Sequence, residues 1–210
     1  MSRGRFITLE GIEGAGKSTV AQLVVAWLAQ RGVPARLTRE PGGTPLAERV
    51  RQIVLSHGTE PLLPVTETLL MFAARALHVQ GVIAPALARG EWVVCDRFTD
   101  ATRAYQGSGR GVDAALIETL AHAVHPQLTP DCTLLLDLPV AAGMARARGR
   151  SGAGADRFES ETLDFFERVR NGYLVLARRN PQRFRVLDAT QPLDAIERSV
   201  TGILGELVGP

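Results

Sequence analysis

Lysine is all but missing from this chain of 210 residues: Lys17 is the only one, and every other basic side chain is arginine. Cysteine is nearly as scarce. Cys95 and Cys132 show no C-x-x-C spacing and no partnering histidine cluster, which leaves a zinc site little support and makes buried reduced thiols the expectation. No apolar run approaches bilayer length, and a strand-like run begins almost at the N-terminus, so neither a membrane span nor a signal peptide is expected and the cytoplasm is the compartment implied. The net charge of +2 is too small, and the arginines too scattered, to argue for a nucleic-acid partner. Hydrophobic residues at 45% and charged residues at 22% exclude a disordered or fibrous chain, and the length favours a single domain over residues 1–210.

What is present starts at the lone lysine. Gly11-Ile12-Glu13-Gly14-Ala15-Gly16-Lys17-Ser18 satisfies the phosphate-binding pattern G-x-x-x-x-G-K-[ST], and Thr19 follows it. A compact, flexible ammonium suits a place between two phosphates better than a planar guanidinium does, which explains why this one position escapes the arginine habit. The flanks fit as well: Phe6–Leu9 is strand-like, and Val20, Leu23, Val24, Trp27 and Leu28 recur at helical spacing. A loop between such elements aims its N–H groups and the positive end of the helix dipole at a polyphosphate. A nucleoside triphosphate is the expected ligand.

Further along, strand-like runs at 35–38, 92–95, 132–136 and 184–187 alternate with helical stretches at 46–54, 66–88 (with a bend expected near Gly81 and Pro85), 98–125 (broken at Gly107–Gly111), from 139, at 160–179 and from 192. The continuous apolar run Cys132–Leu136 belongs to a strand covered on both faces. This alternation predicts an α/β fold: a five-stranded parallel sheet with helices on both faces and ligands at the carboxyl ends of the strands.

Asp96-Arg97 closes the third strand at the edge where the phosphate loop opens. There Asp96 can hold Mg²⁺ together with the Ser18 hydroxyl, and Arg97 offers a fork suited to a phosphate. The Gly/Arg-rich segment at about 149–157 has the composition of a short mobile lid, in which Arg157 is the preferred catalytic arginine and Arg150 the alternative. The D-x-x-G and N-K-x-D signatures of GTP switch proteins are absent, and the second would need another lysine. A small kinase remains, in which one nucleotide donates and a second small molecule accepts. By pattern alone Phe72, at helical spacing with Leu69 and Leu70, reads as core and Arg75 as a solvated charge. The four histidines read as surface or helix-end residues.

Taken in order, Glu10–Ser18, Thr38–Thr44, Phe72–Arg75, Asp96–Phe98, Ala104–Gly107, the lid and Asp188–Pro192 resemble the thymidylate kinase family over nearly the whole chain. The resemblance implies a P-loop NTPase fold, transfer of the ATP γ-phosphoryl group to dTMP, and a homodimer built through helices such as those at 44–57 and 66–88. It implies that Phe72 stacks on thymine, that Arg75 and Gln106, assisted by Thr102, bond its edge, and that Tyr105 crowds the ribose 2′ position. Glu13 would meet the 3′-hydroxyl, Arg97 the acceptor phosphate, and Arg51 with the Glu40-Pro41 turn would shape the pocket. On the donor side Arg146 would lie along adenine, with Gln191 in the loop bordering the base. Two positions depart from the pattern: Ala101 replaces a frequent hydroxyl residue, and Gly14 stands where some relatives carry an arginine, so catalytic charge must come from the lid. An acceptor phosphate with a second pKa of about 6 needs no general base, which agrees with the lack of any His-Asp or Ser-His arrangement.

Overall fold

The computed structural model describes residues 3–58, 60–151 and 157–209, with the side chains of 150 and 151 excepted. Five parallel strands, β1 (Phe6–Glu10), β2 (Ala35–Arg39), β3 (Trp92–Asp96), β4 (Cys132–Asp137) and β5 (Phe184–Asp188), form one sheet in the order β2-β3-β1-β4-β5. The three inner strands are buried nearly throughout, as their unbroken apolar runs require. Alternation divides their side chains. Ile7, Leu9, Leu134 and Leu136 pack beneath helices α1 (Lys17–Ala29) and α9 (Leu193–Val208), whereas Leu135 and Phe184 meet α7 (Val140–Ser151) and α8 (Leu163–Arg179) on the opposite side.

Between β2 and β3 lie α2 (Pro45–Leu55) and α3 (Pro64–His78), a π-helical turn over Val79–Ile83, and α4 (Ala84–Ala88). Pro85 lacks the N–H that would bond back to Gly81, so the bend expected there takes the form of a π turn rather than a break. By length and composition Pro64–Ala88 could cross a membrane, with 25 residues and an 18-residue window of mean hydropathy 1.4, so the sequence reading of no such run is corrected. Here 39% of that window is buried, and the charged residues of the stretch, Glu67 and Arg75, are buried and bonded inside the protein, as detailed below.

After β3 come α5 (Thr99–Thr102), a second π-helical segment over Arg103–Gly109, and α6 (Ala114–Val124). Threonines or an aspartate cap three of the helices: Thr44 accepts from Ala47 N–H, Asp113 from Ala115 N–H and Thr162 from Phe165 N–H. Helix α1 differs. Its N-cap is Gly16 at φ +93°, with no side-chain cap and no acidic residue in the first turn. Its leading N–H groups are thus left for a ligand.

Candidate active site

All five strands end their carboxyl termini along one edge, where a cleft of about 300 Å³ opens. The phosphate loop forms one wall. Gly11, Gly14 and Gly16 all have positive φ, and a side chain at Gly14 would place its Cβ 2.0 Å from the Gly143 carbonyl oxygen of α7. The loop is therefore glycine-rich for two reasons, handedness and close approach. Lys17 folds back over it, donating to the carbonyl oxygens of Gly11 (3.1 Å) and Ile12 (2.8 Å). Burial, followed by the Arg97 charge, lowers its pKa to about 8. Ile12 and Ala15 are buried beneath the loop, and Thr19 lies in the first turn of α1.

Facing the loop, Ser18 Oγ donates to Asp96 across 2.9 Å. Arg97 is the one described non-glycine residue with positive φ, at +71°, a strained backbone of the kind that persists where a side chain must be aimed. Its guanidinium reaches the Gly11 carbonyl oxygen (3.1 Å), Glu13 (2.8 Å), Tyr105 Oη (3.1 Å) and Tyr173 Oη (3.3 Å). Tyr105 in turn donates to Glu13 (2.6 Å). Behind this group Glu10 is fully buried, accepting from Tyr173 (2.8 Å) and from Phe98 N–H (2.8 Å). Burial and the neighbouring Asp100 push its pKa up to about 8 against the pull of Arg97.

The far wall is built around a cis Glu40-Pro41 bond. Glu40 accepts from Arg75 Nε (2.7 Å) and pairs with His78 Nδ1 (3.0 Å), while His78 Nε2 meets Thr38 Oγ1 at 2.7 Å. Arg75 Nη2 bonds the Phe98 carbonyl oxygen and Thr102, but Nη1 is buried and has no partner among the described residues. Arg51 donates to the Pro41 carbonyl oxygen at 3.0 Å. Gln106 points its amide nitrogen at Glu67 (2.7 Å). Arg75 is accordingly no solvated charge, and His78, which ends α3, is wholly buried rather than at the surface.

Most of the expected phosphate-loop and acceptor-side residues line this cleft, whereas Phe72, Arg157, Arg146 and Gln191 do not. Phe72 is buried against Val112, Ile117 and Ala121, and Met71 takes the place at the cleft wall. Arg157 does not contact the phosphate loop: it bonds Glu67 and the Val54 carbonyl oxygen. The Arg150 side chain and most of the lid, residues 152–156, lie outside what the structure describes. On the donor side Arg146 donates to the Ala189 carbonyl oxygen (3.1 Å) and Gln191 to Asp188 (2.9 Å).

Sequence reasoning missed Glu10, Glu67, His78 and Tyr173. A usable signal existed for two of them: Glu67, Arg75 and His78 follow i, i+8, i+11 along a mainly apolar helix, marking polar positions on one face.

The family model for thymidylate kinase matches residues 9–200. The chain belongs to the thymidylate kinase family. A thymidylate kinase of Alkalilimnicola ehrlichii is 55% identical over 208 residues, covering 99% of this chain and 95% of its own. One of Pseudomonas putida is 55% identical over 199 residues, covering 95% of each. A crystal structure of thymidylate kinase from Ehrlichia chaffeensis, 32% identical, superposes with a TM-score of 0.77 over 96% of this chain and 99% of that one. The five-stranded parallel sheet is thus the P-loop α/β fold of thymidylate kinases.

Proposed function

We propose that this chain transfers the γ-phosphoryl group of ATP to dTMP, giving dTDP and ADP. One observation carries the reading: a single cleft is lined on one side by Lys17 and Ser18 of the phosphate loop and on the other by Glu40, Arg75 and Gln106, with Arg97 between them. Two anions held on those walls would meet in line. The relatives above favour this over a UMP or AMP kinase, or a switch ATPase without an acceptor.

The donor polyphosphate would replace the carbonyl oxygens that Lys17 now contacts and take the free N–H groups at the start of α1. Arg146 and Gln191 would border adenine. On the other wall, the unpartnered Arg75 Nη1 calls for a carbonyl oxygen, which the thymine edge provides. Glu13 and Tyr105 would flank the sugar, and Arg97 would bind the acceptor phosphate. Phe72 would have to act from beneath the wall, beside Arg75, whose Cζ lies 4.7 Å from its ring centroid.

Mg²⁺ suits the paired oxygens of Ser18 and Asp96, a donor set to which water and phosphate oxygens add. When bound there, it would supply positive charge that offsets the charge of the phosphates. The work left to the chain is positioning and charge compensation by Lys17, Arg97 and a lid arginine, Arg157 or Arg150. For Arg157 to take part, its bonds to Glu67 must be exchanged.

A homodimer is proposed on the outer face of α2 and α3, where Leu46, Ile53 and Leu69 are about half exposed. A cytoplasmic setting accords with Cys95 and Cys132, both free and buried.

The test is an ADP-release assay over dTMP, dUMP, UMP, CMP and AMP. dTMP should accelerate turnover most; the reading fails if none exceeds ATP hydrolysis in water.

A further inference from the structure

Glu67 sits in the first turn of α3 with no exposed surface, and no role in phosphoryl transfer accounts for it. Three side chains converge on its carboxylate. Gln106 donates from Nε2 to Oε1 at 2.7 Å, Arg110 donates from Nε to the same oxygen at 2.9 Å, and Arg157 holds Oε2. Arg110 is itself fixed by Glu161 at 2.8 Å and Arg157 by the Val54 carbonyl oxygen at 3.0 Å, so the carboxylate has little freedom to turn. Gln106 is also set from its backbone, where its carbonyl oxygen accepts from Val112 N–H at 2.9 Å after the π-helical segment.

A primary amide can present either its NH₂ group or its oxygen to a ligand, and the groups behind it decide which. A carboxylate between two guanidinium groups can only accept. The Gln106 NH₂ group must therefore face Glu67, leaving its oxygen for the cleft that this residue lines. Next to it stands Arg75, able only to donate. The wall thus offers one acceptor beside one donor, the complement of a ring N–H beside a carbonyl, as in thymine or uracil. Cytosine presents the reverse pair.

Resting on the nucleotide-acceptor reading above, we propose that Glu67 is a positioning residue that fixes the direction of the Gln106 amide and thereby selects acceptors with an imide N–H over cytosine nucleotides. Its substitution acts through Gln106, not on the transferred group.

The test compares Glu67→Met with the wild type on dTMP and dCMP by steady-state kinetics. The ratio of kcat/KM for dTMP over dCMP should fall at least about tenfold in the variant, mainly through a higher KM for dTMP. A folded variant that loses rate equally on both acceptors, with the ratio intact, overturns the proposal. Should the variant not fold, a crystal structure of the wild type with dTMP decides the matter. Gln106 Oε1 on the ring N–H and Nε2 on Glu67 supports it; the inverted amide, or Gln106 off the base, overturns it. Failure of the wild type to phosphorylate dTMP would instead remove the function beneath it.

Discussion

At the scale of single residues, Lys17 and Arg97 carry the site's positive charge in different ways. Arg97 is held by four partners on a strained backbone, so its position is fixed before any ligand arrives. Lys17 is bonded only to loop carbonyl oxygens, neutral partners that a phosphate oxygen displaces readily. Removing the ammonium in Lys17→Met should lower kcat by about a hundredfold or more while dTMP binding, measured by calorimetry, stays nearly unchanged. Turnover close to wild type would contradict the role assigned to the lysine. At the same scale the buried Glu10 contributes a pH effect. Its carboxyl titrates at 4.5 unfolded and about 8 folded, so between those values the native state holds a proton that the unfolded chain has lost. Stability from this group is therefore complete below pH 4.5 and declines as pH rises to about 8. Glu10→Gln, which carries no such proton, should gain in Tm on the wild type as thermal scans move from pH 5 to pH 8. Parallel curves would show that Glu10 is ionised in the fold.

At the scale of elements, the phosphate loop fits tightly against α7, where Gly14 and Gly143 meet backbone to backbone. Gly14→Ala would have to accept both a left-handed backbone at φ +76° and an overlap with the Gly143 oxygen. A loss on the order of 3 kcal/mol is expected, read as a lower urea midpoint. An unchanged midpoint would mean that α7 can withdraw from the loop at little cost. Elements with strong local signals were legible in the sequence. The strands at 35–38, 92–95 and 184–187 proved one residue longer, and the phosphate loop stood where its glycines and lysine required. Less legible were the two π-helical segments, because their wider turns answer to packing and to Pro85 rather than to a repeating pattern. Side-chain partnerships across the chain were harder still. The Thr38–His78–Glu40–Arg75 chain joins β2 to α3, and Glu10 meets Tyr173 across 163 positions; such pairs arise only once topology is set. The displacement of Phe72 from the cleft wall by Met71 has the same origin, since adjacent helical residues differ by about 100° in direction and α6 claims one of them.

At the scale of the whole molecule, the sheet order puts β3 beside β1, so the residues following each strand, Arg97 and Gly11, come within bonding distance although 86 positions separate them. Leu46 and Ile53 on α2 and Leu69 on α3 are about half exposed, apolar surface that the proposed second copy would cover. Ile53→Asp should shift the protein to monomer in sedimentation velocity at micromolar concentration; a wild type that sediments as a monomer in the same range would remove the dimer from consideration.

The solitary Lys17 also gives the protein a built-in reporter. With its pKa near 8, this amine is substantially unprotonated in mildly alkaline buffer, so an amine-selective acylating reagent has one side-chain amine to modify in the entire polypeptide. A protease specific for lysyl bonds likewise has one place to cut, and would yield two fragments of fixed mass from any molecule whose nucleotide cradle has come open. Mass spectrometry of the intact chain, with and without ATP, would thus count occupied and vacant cradles directly.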